Sequence, residues 1–116
     1  EKSEALRWLE YLKEDGILVV NDYEIHPVTV AIGMAEYPDN IFEEYKAKVN
    51  NVHIIKAHDI AEELGNTKCM NIVLLGALVK MFNLENIDWK SLIKDSLPSK
   101  VVDLNIKAFE KGYSIN

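Results

Sequence analysis

The stretch Gly16-Ile17-Leu18-Val19-Val20-Asn21-Asp22, lying directly after a helical pattern, decides the fold class. Ile17 to Val20 is an unbroken aliphatic and β-branched run with no polar alternation, the pattern of a strand covered on both faces in an α/β sheet. Upstream, Ser3 stands as a candidate N-cap, and Ala5, Leu6, Leu9 and Leu12 recur at three- and four-residue spacing until Asp15-Gly16 stops the run. Downstream, Asn21-Asp22 turns the chain. A helix, a glycine stop and a covered strand in that order point to an α/β protein.

Outward from this step, Val28-Thr29-Val30-Ala31-Ile32 predicts a second strand, entered through Pro27 and left through Gly33, with proline tolerable only at the strand's first position. Pro38-Asp39-Asn40 opens a short predicted helix through Ile41, Phe42, Tyr45 and Val49, and Val52-His53-Ile54-Ile55 predicts a third strand. His58 to Leu64 gives one or two helical turns ended by Gly65-Asn66, with Asp59, Glu62 and Glu63 on the exposed side. The segment from Thr67 to Phe82 is so apolar that most of its circumference must be covered. Asp88 caps a further helix through Trp89, Leu92, Ile93 and Leu97. Pro98-Ser99 breaks it, and a last helix carries Val101, Val102, Leu104, Ile106 and Phe109 to a stop at Gly112. The sum is a sheet between helical layers with a helix-rich C-terminal half. Three strands are few beside the roughly 4 to 6 of an ordinary open sheet, so the layer is expected to be completed by further strands or by another chain.

Composition narrows the chemistry. The 116 residues, 48% hydrophobic, suit one domain, and no apolar run approaches the roughly 20 residues needed to span a bilayer. Without an initiator Met or a basic leader, residues 1–116 are expected to be part of something longer. The net charge of −6, with twelve scattered lysines and the single arginine Arg7, argues against nucleic-acid binding. It also leaves few guanidinium forks to grip a carboxylate or phosphate. One cysteine, Cys69, excludes an internal disulfide and cannot alone build a cysteine-ligated iron-sulfur cluster; a reducing cytoplasm fits best.

Each candidate for chemistry has a structural alternative. His53, His58 and Cys69 lie close in sequence, but their spacing matches no common zinc pattern. His26, before Pro27, reads as a surface or subunit-contact residue. Asp59, Glu62 and Glu63 suit the helix dipole better than acid-base catalysis. No Gly-x-Gly-x-x-Gly, Walker loop or Gly-x-Ser-x-Gly elbow occurs. Gly76 inside the apolar helix costs about 1 kcal/mol relative to alanine, which marks a close approach by a neighbouring element. Asn71, at the start of that helix, needs hydrogen-bond partners if buried. Asn71, Leu75, Gly76, Val79, Asn105 and Phe109 are therefore the candidate packing or partner-interface residues, and no catalytic or metal-binding residue is assigned.

Ile60-Ala61-Glu62-Glu63-Leu64-Gly65-Asn66, then Asn71-Ile72-Val73-Leu74-Leu75-Gly76-Ala77-Leu78, resembles the gamma domain of pyruvate and other 2-oxoacid:ferredoxin oxidoreductases. The similarity continues in Asp103-Leu104-Asn105-Ile106-Lys107-Ala108-Phe109-Glu110-Lys111-Gly112, like that domain's last helix. Pro27-Val28-Thr29-Val30 and Ala35-Glu36-Tyr37-Pro38 are most like beta subunits of the indolepyruvate branch. This resemblance implies the C-terminal part of a Rossmann-like three-layer α/β/α sandwich, here incomplete because the family's glycine-rich N-terminal segment is absent. It implies a non-catalytic part of a complex that oxidatively decarboxylates a 2-oxo acid to an acyl-coenzyme A. Thiamine diphosphate and iron-sulfur clusters are then expected in a partner subunit, with ferredoxin as electron acceptor and coenzyme A as a substrate. Two alternatives stay open: a small-ligand-binding α/β module using Asn71, His58 and the strand ends, and a regulatory homodimer.

Overall fold

Two strands and seven α-helices make up the computed structural model, which describes residues 1–115. The chain divides into two compact units, Glu1–Ile55 and a second from Lys56 onward.

The first unit holds α1 (Lys2–Trp8), β1 (Ile17–Asn21), α2 (Val28–Ala31), α3 (Ile41–Lys48) and β2 (Asn51–Ile55). The two strands pair in parallel, with Ile17 opposite Asn51, Val19 opposite His53 and Asn21 opposite Ile55. Parallel pairing demands a crossover, and the segment carrying α2 and α3 supplies it. Leu9, Val20, Ile41, Tyr45 and Val49 form the core, with Leu6, Leu18 and Phe42 packed around it. Each such aliphatic side chain taken from water contributes about 1.5 to 3 kcal/mol. The α/β reading holds on this βαβ step.

Several local expectations change. The N-cap of α1 is Glu1, whose carboxylate accepts from the Glu4 amide at 2.9 Å, rather than Ser3. α1 is also shorter than its apolar spacing implies, tightening into a 3-10 turn at Leu9–Tyr11. Val28–Ile32 is not a strand. The Pro27 carbonyl accepts from the amides of both Val30 and Ala31 at 3.0 Å, Thr29 O accepts from Met34 and Ala35, and Gly33 turns away at φ +76°. Proline set at φ −61° makes an ordinary helix start, so local hydrogen bonding overrides the β propensity of the valines.

The second unit is helical: α4 (Ala57–Glu63), α5 (Met70–Met81), α6 (Trp89–Ser96) and α7 (Ser99–Tyr113). Gly65 ends the α4 turn at φ +91°, Asp88 caps α6 by accepting from Ser91 N at 3.1 Å, and Leu97 leads into Pro98. Val79, Ile93 and Phe109 form its core, ringed by Ile72, Leu75, Leu84, Trp89 and Ile106. Gly112 is no stop: it lies inside α7 and is buried there. Among the described residues no helix is long and apolar enough to cross a membrane.

Candidate functional site

Gly76 and Gly112 hold α5 and α7 together backbone to backbone. A Cβ on Gly76 would fall 2.1 Å from Phe109 O and 2.8 Å from Tyr113 N; one on Gly112 would fall 1.8 Å from Val73 O. The two glycines are reciprocal, each receiving the main chain of the opposite helix. Val73, Ala77 and Ala108, all fully buried, are the small side chains that let the helices approach this closely.

Next to this crossing lies an open groove of about 500 Å³, lined among others by Val79, Glu85, Ile87, Trp89, Phe109 and Tyr113. Asn83, at φ 52°, turns the chain out of α5, and Leu84 N donates back to Val79 O at 3.0 Å. Trp89 Nε1 donates to Leu84 O at 2.8 Å, pinning this loop to α6. On the rim, Lys90 pairs with Glu110 at 2.5 Å and the Tyr113 hydroxyl donates to Glu85 at 3.1 Å. Lys80 Nζ sits 5.0 Å from the centroid of the Tyr113 ring, which stacks on Phe109. An aromatic wall beside a net acidic rim, whose Glu85, Asp88 and Glu110 already accept from Tyr113, Ser91 and Lys90, suits it to hold a side chain or small apolar group.

The six candidate residues separate. Val79 and Phe109 line the groove, Gly76 makes the crossing and Leu75 is half-buried against the same core. The Asn105 amide donates to Val101 O at 2.8 Å, one turn back in its own helix. Asn71 is exposed on α5, so its side chain meets solvent and needs no buried partner. Asn71 and His58 do not line the groove. Sequence reasoning missed Gly112, taken as a helix stop, and the Trp89 and Tyr113 walls; the i, i+4 aromatic pair Phe109 and Tyr113 was the available signal.

In the first unit the polar groups gather at the helix start. Lys2 pairs with Asp22 at 3.2 Å and Glu24 at 2.7 Å, and its pKa is raised, chiefly by the Glu24 bond. The Tyr37 hydroxyl donates to Glu1, and Tyr45 to Lys2 O. Burial, aided for Tyr37 by the Glu1 carboxylate, pushes both phenols up to about 12. Burial opposes ionisation of Glu1, yet the bonds from Tyr37 and from the Glu4 amide outweigh it and lower its pKa. His26 lies 3.0 Å from Glu24 and against the Tyr37 ring. These are structural pairings between neighbouring segments.

The donor chemistry does not fit an iron-sulfur cluster. The one thiol, Cys69, is 2% exposed, donates to Asn66 O at 3.0 Å, and burial raises its pKa. A cluster needs several thiolates. Among the described residues no three His, Cys, Asp or Glu side chains are placed to hold a metal ion.

The sequence profile of the "Pyruvate ferredoxin/flavodoxin oxidoreductase" family matches residues 1–115. The chain is 40% identical over 119 residues to "Indolepyruvate oxidoreductase subunit IorB" of Pyrococcus horikoshii, covering 97% of this chain and 58% of the relative. It is 38% identical over 119 residues to the protein of that name from Thermococcus kodakarensis, with the same coverage of 97% and 58%. The Archaeoglobus fulgidus protein of that name is 33% identical over 120 residues, covering 98% and 59%. The chain thus spans a little under three-fifths of the length of these curated relatives. No solved structure matches it. With a match running from the first residue through Ile115, the chain belongs to the pyruvate ferredoxin/flavodoxin oxidoreductase family.

Proposed function

We propose that this chain is a non-catalytic part of a 2-oxoacid:ferredoxin oxidoreductase of the indolepyruvate type. It packs against a partner subunit that carries thiamine diphosphate and iron-sulfur clusters, in a reducing cytoplasm. The complex would decarboxylate a 2-oxo acid oxidatively, pass electrons to ferredoxin and form an acyl-coenzyme A. The observation that carries the proposal is that nearly the whole of this chain matches a little under three-fifths of subunits named for indolepyruvate oxidoreductase. Supporting it, the chain's side chains are spent on packing: the only thiol is sequestered, and the groove's acids are hydrogen-bonded within the chain, Glu110 to Lys90, Glu85 to Tyr113 and Asp88 to Ser91.

The test is reconstitution. The full-length protein and its thiamine- and cluster-bearing subunit, mixed under anaerobic conditions, should reduce ferredoxin with indolepyruvate, whereas the full-length protein alone should not. Turnover by that protein in pure form would overturn the proposal.

The groove between α5, α6 and α7 favours a second reading, a self-contained ligand-binding module. Thermal melts with coenzyme A or aryl pyruvates decide between them, because a ligand bound only by the folded state raises the midpoint by mass action. Stabilisation without any partner would favour the module.

A further inference from the structure

The acidity of this chain is concentrated in one place. Residues 1–55 carry five basic and eleven acidic side chains, a balance of −6, whereas residues 56–116 carry eight of each. Within the first unit, residues 14–45 contain no lysine or arginine at all, against eight aspartates and glutamates and the single His26.

That acidic run includes the connection from β1 to α3, where Lys2 pairs with Asp22 and Glu24, Glu36 and Asp39 are exposed, and four apolar side chains point outward. Ile25 is 58% exposed, Val28 74%, Ile32 62% and Met34 77%. Single exposed aliphatics are ordinary on a soluble surface, but four within ten residues of one connection are not. Nor is the connection shapeless. Pro27 and Thr29 carbonyls close it with local hydrogen bonds, Gly33 turns it, and the Lys2 to Glu24 pair fastens its base. The amides from Val30 to Ala35 are satisfied locally and that of Ile25 by the Glu1 carboxylate, while the apolar side chains stay in water, which is how a preformed docking element is built.

We propose that the Ile25–Met34 arm is the docking surface for a partner protein presenting an apolar pocket rimmed by lysine and arginine. The proposal rests on the reading of this chain as a subunit and names the face and its complement. The charge selects the occupant. A second copy would bring one −6 unit against another, and anionic lipid or nucleic acid would be repelled by the same field. A basic rim is attracted, which speeds encounter and sets orientation, while the four aliphatic side chains supply the dry centre.

The experiment measures binding of the full-length protein to the thiamine- and cluster-bearing subunit of the same source. The double variant Val28→Lys, Met34→Lys is expected to weaken the complex about tenfold or more. Glu36→Lys should slow association and flatten its salt dependence. Leu92→Lys, at a half-exposed position of the second unit, should bind like the parent. Footprinting by oxidation of the unaltered protein gives an independent reading, since Met34 should be protected in the complex. Equal binding by the double variant, or unprotected Met34, overturns the arm while leaving the subunit reading standing. Absence of any complex with the unaltered protein overturns both. A homodimer in sedimentation that Val28→Lys disperses overturns the proposal by giving the face to a second copy.

Discussion

A methyl group added at Gly76 or Gly112 meets main-chain atoms of the opposite helix, and neither helix can yield without carrying its neighbours along. Gly76→Ala and Gly112→Ala are each expected to cost about 3 kcal/mol or more, read as a fall in the urea midpoint. Gly65→Ala has free space around it and is strained only by φ +91°, so it should lose about 1 to 2 kcal/mol. Gly76 was legible in the sequence because a glycine deep in an apolar helix has no other purpose; Gly112 was not, because near a helix end it resembles a stop. Tyr45 carries a second expectation. Its folded pKa, with that of Tyr37, is raised from 10.0 to about 12, so the stability linked to the protonated phenols is complete below pH 10 and declines as pH rises from 10 to 12. Tyr45→Phe should remove part of that decline in thermal melts, and cost about 1 kcal/mol at neutral pH by leaving Lys2 O without its phenol.

Among the elements, β1 and β2 are each other's neighbours in a two-stranded sheet, so each directs alternate amides toward its partner and alternate amides away. Hydrogen exchange on residues 1–116 should therefore alternate along Ile17–Asn21 and Asn51–Ile55, slow where amides face the partner and faster where they do not. Uniform protection along both strands would mean that another segment pairs with their outer edges. The strands themselves were plain in the sequence, as short runs rich in valine and isoleucine, Ile17 to Val20 and Val52 to Ile55. Val28–Ile32 carried the same composition and folded otherwise, because propensity scales see the valines but not the carbonyl of Pro27 reaching the amides of Val30 and Ala31. Helices α4, α6 and α7 were legible from their caps and breakers, Gly65, Asp88 and Pro98, which act within a few residues of where they stand.

At the scale of the whole molecule, the sequence disclosed total charge more readily than its placement. Twelve lysines look scattered until residues 14–45 are seen to hold none, a contrast that acquires meaning only once the same stretch is found to expose Ile25, Val28, Ile32 and Met34. The groove beside Trp89 was hidden for a different reason, since three successive helices enclose it and the close approach of α5 to α7 depends on two glycines that act across the crossing rather than along the sequence. The sequestered Cys69 turns into a stopwatch for the second unit. A maleimide or disulfide reagent should leave the native thiol untouched and capture it only during excursions that expose the start of α5. If reclosing outruns capture, the labelling rate scales with reagent concentration and reports the fraction of molecules in which that helix stands open. The unit thus carries its own unfolding probe, readable by mass spectrometry without altering one residue.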